Sequence, residues 1–191
     1  MNFLETSYPS VKNLKKQKTN AQFVFCFLLF IAFSTACRND TGSAGKCKFG
    51  DPKPIFTDSM PTVKKHFFQL KTDAKAGKVG VEMVAFQNKL LLEIEQSGCN
   101  DIQQQFTFIM FGKFNDADDE VWKTLAIQHF RDLAKISPKL APMNAWADAI
   151  ESVKKNLKLS EPIEVQSNTH VRIDKILSAD RATLVVQLSQ N

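Results

Sequence analysis

Between Phe23 and Phe33 the chain runs through eleven apolar residues, five of them Phe, without a polar interruption. A soluble amphipathic helix needs a polar face, and this run has none. As a helix it would be about 16 Å long at ~1.5 Å per residue, against a hydrocarbon core of roughly 30 Å, so it is too short to span a bilayer well. Lys12, Lys15, Lys16 and Lys18 precede it, and the small residues Ser34-Thr35-Ala36 follow. A cationic segment, a short apolar core and small residues, in that order, predict a secretory signal peptide over residues 1–36. Charge follows the same division. The whole chain carries 25 basic and 20 acidic side chains, a net charge of +5. The four leader lysines against Glu5 supply +3 of it, which leaves +2 for residues 37–191. Without a basic excess in the body, no nucleic-acid partner is expected.

The residues Ser34-Thr35-Ala36-Cys37 resemble a bacterial lipobox of the looser Bacteroidetes type, at which a lipoprotein signal peptidase cuts before a cysteine that becomes acylated. The usual motif has an aliphatic residue where this chain has Ser34. The resemblance implies a lipoprotein precursor whose first mature residue is a lipidated Cys37, exported to the cell envelope and held on a membrane by that anchor. An ordinary signal peptidase also accepts Ser34 and Ala36, and would leave Cys37 unmodified at the same position. Residues 37–46 are small, polar and turn-prone, which suits a flexible tether.

Once Cys26 is removed with the leader, Cys47 and Cys99 remain in the body. In an oxidising compartment such a pair is expected as a disulfide, worth roughly 4 kcal/mol on the chain-entropy view for a loop of about 53 residues. A cysteine nucleophile or metal ligands are the competing readings, but the chain has no CxxC spacing and no His near either residue.

From Cys47 to Thr62, prolines and turn formers make an irregular lead-in. Within it Asp58-Ser59-Met60 is similar to the short O-glycosylation sequon of exported Bacteroidetes proteins, with an ordinary turn as the simpler reading. Period-two alternation then predicts strands over Lys64–Lys71, Val79–Phe86, Lys89–Gln96 and Gln104–Phe114. The last is apolar on both faces through Phe106, Phe108 and Met110 and through Ile109 and Phe111, so its second face is expected to need a cover. The acidic run Asn115–Glu120 signals a helix start, and the stripe Trp122, Leu125, Ala126, His129, Phe130, Leu133 and Ile136 carries the helix to Ser137-Pro138. A second helix begins near Pro142 and bears Trp146. Strands return at Ile163–Val165, Thr169–Ile176 and Ala182–Ser189, with a hairpin turn over Leu177–Arg181. The expected fold is a single α+β domain over residues 47–191, with an antiparallel sheet of about four strands, two packed helices and a C-terminal β-hairpin.

Catalytic signals are sparse. His66, His129 and His170 fall on three different elements without metal-ligand spacing, so no metal site is expected. Capping accounts for Asp116–Glu120 better than a calcium loop or a pair of catalytic carboxylates does. There is no GxSxG and no glycine cluster to cradle phosphate, and no cofactor is expected. Trp122 and Trp146 are candidates to line a ligand groove between the helices, with core packing as the alternative at that spacing. The favoured reading is a non-enzymatic exported domain that binds an envelope protein or glycan. A small periplasmic hydrolase with dispersed polar residues, or a carrier of a hydrophobic ligand, are the alternatives.

Overall fold

The computed structural model describes residues 50–73, 77–98, 101–114 and 118–190. The signal peptide, the lipobox with Cys37, the tether and both members of the Cys47/Cys99 pair lie outside the described residues.

Seven strands form one antiparallel sheet. They are β1 (Val63–Asp73), β2 (Gly77–Phe86), β3 (Leu91–Ser97), β4 (Ile102–Phe111), β5 (Ile163–Gln166), β6 (Thr169–Leu177) and β7 (Arg181–Gln190), in the spatial order β1-β2-β3-β4-β7-β6-β5. The expected sheet of four strands with a separate hairpin is therefore corrected. The β6-β7 hairpin does form, but β7 pairs with β4 in continuous register from Ile102↔Gln190 to Phe111↔Arg181, merging the two groups of strands. The cause is the alternation of both strands. Phe106 and Phe108 on β4 match Val186 and Leu184 on β7, so pairing them makes one wide apolar face.

Two helices lie between β4 and β5 in the chain. Helix α1 (Asp119–Ile136) starts where the acidic run predicts, with the Asp118 side chain accepting from the Glu120 N–H, and stops at Ser137 before Pro138. A short 3₁₀ turn over Pro138–Leu140 leads into α2 (Met143–Val153). The helices pack against each other and cover the half of one sheet face that holds β4, β7 and β6. Phe130 meets Phe106 and Phe108 edge to face at 5.0 and 5.9 Å, geometries aromatic rings prefer.

The other half of that face is covered by the lead-in. Pro52 lies so close over Gly80 that a Cβ there would sit 2.7 Å from the proline Cβ, so this crossing needs glycine. Beyond it Phe56, fully buried, meets Phe86 edge to face at 5.8 Å. Between them Glu82 is also fully buried, and its carboxylate accepts the backbone N–H groups of Ile55 at 2.8 Å and Phe56 at 2.7 Å. His66 on β1, paired with Val84 and so diagonal to Glu82, brings its Nε2 within 2.8 Å of the same carboxylate. A buried charge is tolerable only when paired and hydrogen-bonded, and here three groups satisfy it. Glu82 thus pins an irregular segment to the sheet where no helix reaches.

Candidate functional site

The register places alternate residues on opposite faces of the sheet. One face, under the helices and the lead-in, holds Val84, Leu92, Ile94, Phe106, Leu184 and Ile173, all 1% exposed or less. On the opposite face, among the described residues, only Val79 is buried. The second face of β4, expected to need a cover, gets none from the helices that follow, and that expectation is corrected here. They pack on Phe106 and Phe108, while Thr107 and Ile109 remain half-buried and Phe111 is 54% exposed. Seven strands are too broad for two helices and a lead-in to wrap, so one face is left to solvent.

That open face is divided chemically. Towards the turn joining β2 to β3, the row Lys65↔Ala85↔Leu91↔Ile109 and the neighbouring Phe67↔Met83↔Glu93 surround an apolar hollow of about 310 Å³. Phe67 and Met83 are half exposed, at 53% and 51%. Towards the opposite strand ends, on β3, β4, β7 and β6, lies a polar basin of about 340 Å³. One row across it reads Glu95↔Gln105↔Gln187↔Arg172, and the next reads Ser97↔Gln103↔Ser189↔His170. Several of these side chains are held in place. Gln187 Nε2 donates to Gln105 Oε1 at 2.9 Å, and Gln105 Nε2 donates to Thr107 Oγ1 at 3.4 Å. Arg172 is clamped by Asp174, its Nε and a terminal nitrogen donating to Oδ1 at 3.2 and 3.0 Å.

A third hollow, about 600 Å³, lies between α1 and the β2-β3 turn and includes Asn88, Lys89, Met110, His129 and Asp132. His129 stacks on Phe108, ring centroids 4.6 Å apart, with Nε2 3.4 Å from the Met110 sulfur. Burial pushes its imidazole down from an ordinary 6.5 to about 4, although the Asp132 carboxylate pulls the other way. At neutral pH the ring is therefore uncharged, and its partners are an aromatic face and a thioether. Asp132 is engaged instead with Gln128 and Lys135, at 2.8 and 2.9 Å.

The residues singled out from the sequence are dispersed. Trp122 is 2% exposed in the core, with no hydrogen-bond partner for its indole N–H among the described residues, and Trp146 is half-buried on α2. Neither lines any of these three hollows. His66 serves the Glu82 carboxylate, His129 packs on Phe108 and His170 lies on the open face, so the three do not converge. Among the described residues no three His, Cys, Asp or Glu side chains come together as a metal site. Ser59 lies in a turn, its hydroxyl 3.0 Å from that of Thr57, and the neighbouring Asp58 accepts the His66 N–H at 3.1 Å. Among the described residues no helix is long and apolar enough to cross a membrane. Sequence reading missed both the open face and the buried Glu82. Only the double-sided apolarity of β4 hinted at the first.

No family model, no curated protein and no solved structure matches this chain.

Proposed function

We propose that the chain is a non-enzymatic binding domain of the bacterial cell envelope, tethered to a membrane through an acylated Cys37, and that the open face of its sheet is the binding surface. The observation that carries the binding role is the uncovered face itself. An antiparallel sheet can leave one face to water, but exposed Phe67, Met83 and Phe111 on that face, together with an ordered polar basin, are more than a merely solvated face requires and fit a docking surface. The leader, the lipobox resemblance and the polar tether support the location. A Cys47–Cys99 disulfide belongs to the same reading. It is supported by the lead-in, whose Lys53 carbonyl accepts from Gln96 Nε2 at 3.0 Å and whose Asp51 pairs with Lys78 at 2.5 Å. Those contacts bring residues 51–53 to the ends of β2 and β3, and in the chain Cys47 comes four residues before Asp51 and Cys99 two after Ser97.

The intact mass, without reductant, of the protein purified from its own membranes tests the location. The expected mass is that of residues 37–191 plus acyl groups and minus two hydrogens. A mass that retains residues 1–36 overturns it. Retention of an envelope extract on the immobilised protein, compared with a Met83→Glu, Gln187→Leu variant, tests the face. Equal retention by both proteins overturns that part.

A further inference from the structure

We infer that the polar basin on the open face takes a neutral, hydroxyl-rich ligand, an oligosaccharide chain laid across strands β3, β4, β7 and β6. The inference rests on the open face being the binding surface and names what that surface binds.

The first argument is the composition of the two rows. From Glu95 to Arg172, and from Ser97 to His170, every residue that the register puts on this face is polar. Neighbouring strands are about 4.8 Å apart, so each row of four extends roughly 14 Å. An apolar ligand would strip water from these groups and return nothing.

The second argument is the kind of polar group. The three glutamine amides each have two donors and an accepting oxygen, and the two serine hydroxyls both donate and accept. A sugar hydroxyl also does both, so it can satisfy an amide N–H and an amide oxygen at once. An anion would use only the donors and a cation only the acceptors.

The third argument is charge. The Arg172 guanidinium is already matched by Asp174, and the remaining charged side chain of the two rows is the exposed Glu95 carboxylate. A phosphate-bearing ligand would meet two carboxylates for one cation. A nucleic-acid strand would in addition find no Phe, Tyr or Trp in either row to stack on.

The fourth argument is geometry. Protein strands add to sheet edges, where backbone groups are unpaired, whereas this basin lies over β4 and β7, whose backbones are fully laddered together. Its recognition groups are side chains, as a saccharide requires. The Gln187-to-Gln105 and Arg172-to-Asp174 hydrogen bonds fix these side chains beforehand, which lowers the ordering cost of binding. A volume of about 340 Å³ is at the small end of ligand sites, room for a short stretch of a longer chain.

The test is isothermal titration of the full chain, purified from membranes in detergent, against cello-, malto-, manno-, xylo- and chito-oligosaccharides. Oligogalacturonate serves as the anionic counterpart. At least one neutral oligosaccharide should bind with Kd below about 1 mM. Gln105→Leu with Gln187→Leu should weaken it tenfold or more, while Val121→Ser, at an exposed position of α1, leaves it unchanged. Should the double leucine variant fail to fold, Gln103→Ala, at an exposed side chain, should still cost about threefold, one ordinary hydrogen bond. The inference is overturned if no neutral oligosaccharide binds at about 10 mM, ten times that limit. It is equally overturned if only oligogalacturonate binds, or if binding survives the glutamine substitutions undiminished. Envelope retention that depends on the open face, without oligosaccharide binding, would leave the binding-domain reading standing and remove only this ligand class.

Discussion

The two faces of the sheet are built from the same strands, yet they obey different rules. On the covered face, neighbours such as Ile94, Phe106, Val186 and Ile173 are fully buried, and each is constrained by the side chains packed over it. On the open face, one residue along each strand, the register produces an apolar zone at one end and a polar zone at the other. The difference teaches where to look for function. Packing determines what the covered face must be, whereas nothing in the fold requires three glutamines and two serines to gather across β3, β4 and β7.

The comparison can be broken most severely at Glu82, among the described residues the one carboxylate fully buried. Glu82→Ala leaves the Ile55 and Phe56 N–H groups and His66 without their acceptor. Breaking such a buried arrangement should cost about 3–5 kcal/mol in chemical denaturation, with faster amide exchange at residues 55 and 56. Exchange unchanged at those two amides would mean that something else holds the lead-in.

Adjacent residues on β4 make the sharpest internal contrast. Phe108→Ala empties a site under Phe130 and His129 and should cost about 3–5 kcal/mol. Ile109→Ala, one position on and facing the other way, should cost about 1 kcal/mol or less, because the half-buried side chain leaves no sealed cavity. Equal unfolding free energies for the two variants would refute the division into faces.

A third prediction concerns pH. His129 has its folded value lowered to about 4, so between about 6.5 and 4 the unfolded chain binds a proton that the folded chain refuses. The stability tied to its neutral ring is therefore present above about 6.5 and is lost progressively as pH falls through that window, up to about 3 kcal/mol in total. His129→Leu should flatten this slope in urea titrations at several pH values. The smallest effect belongs to Phe67→Ser on the open face, expected within about 0.5 kcal/mol of the parent by melting, since its ring is already half in water.

Local features of the fold were legible in the sequence because their causes are local. Asp118 and Ser137-Pro138 bound α1 as capping and proline sterics require. On β1 the alternation of His66 and Phe68 with Lys65 and Phe67 also carries the strand's phase, since the first pair lies opposite Val84 and Glu82 of the covered face. The pairing of β4 with β7 was not legible, for it joins residues 70 to 88 positions apart and leaves no signature within either strand. Glu82 misleads in the other direction. In Val81-Glu82-Met83 simple hydrophobicity would turn the methionine inward and the glutamate outward. The structure does the reverse, because the Glu82 carboxylate meets backbone N–H groups from a segment 26 and 27 residues earlier. The candidate site was hidden for the same reason: Ser97, Gln103, Ser189 and His170 become neighbours only through strand pairing.

The placement of β7 has a consequence for how the molecule assembles. It is the last of the seven strands in chain order, but it occupies an interior position in the sheet, with β4 on one side and β6 on the other. Until residues 181–190 are available, β1 to β4 have no route to join β5 and β6. Non-local closure of this kind is intrinsically slow, and each unfinished part exposes an unpaired strand edge meanwhile. Truncation before residue 181 would thus split the sheet in two, whereas removing a strand of the same length from a border would only narrow it.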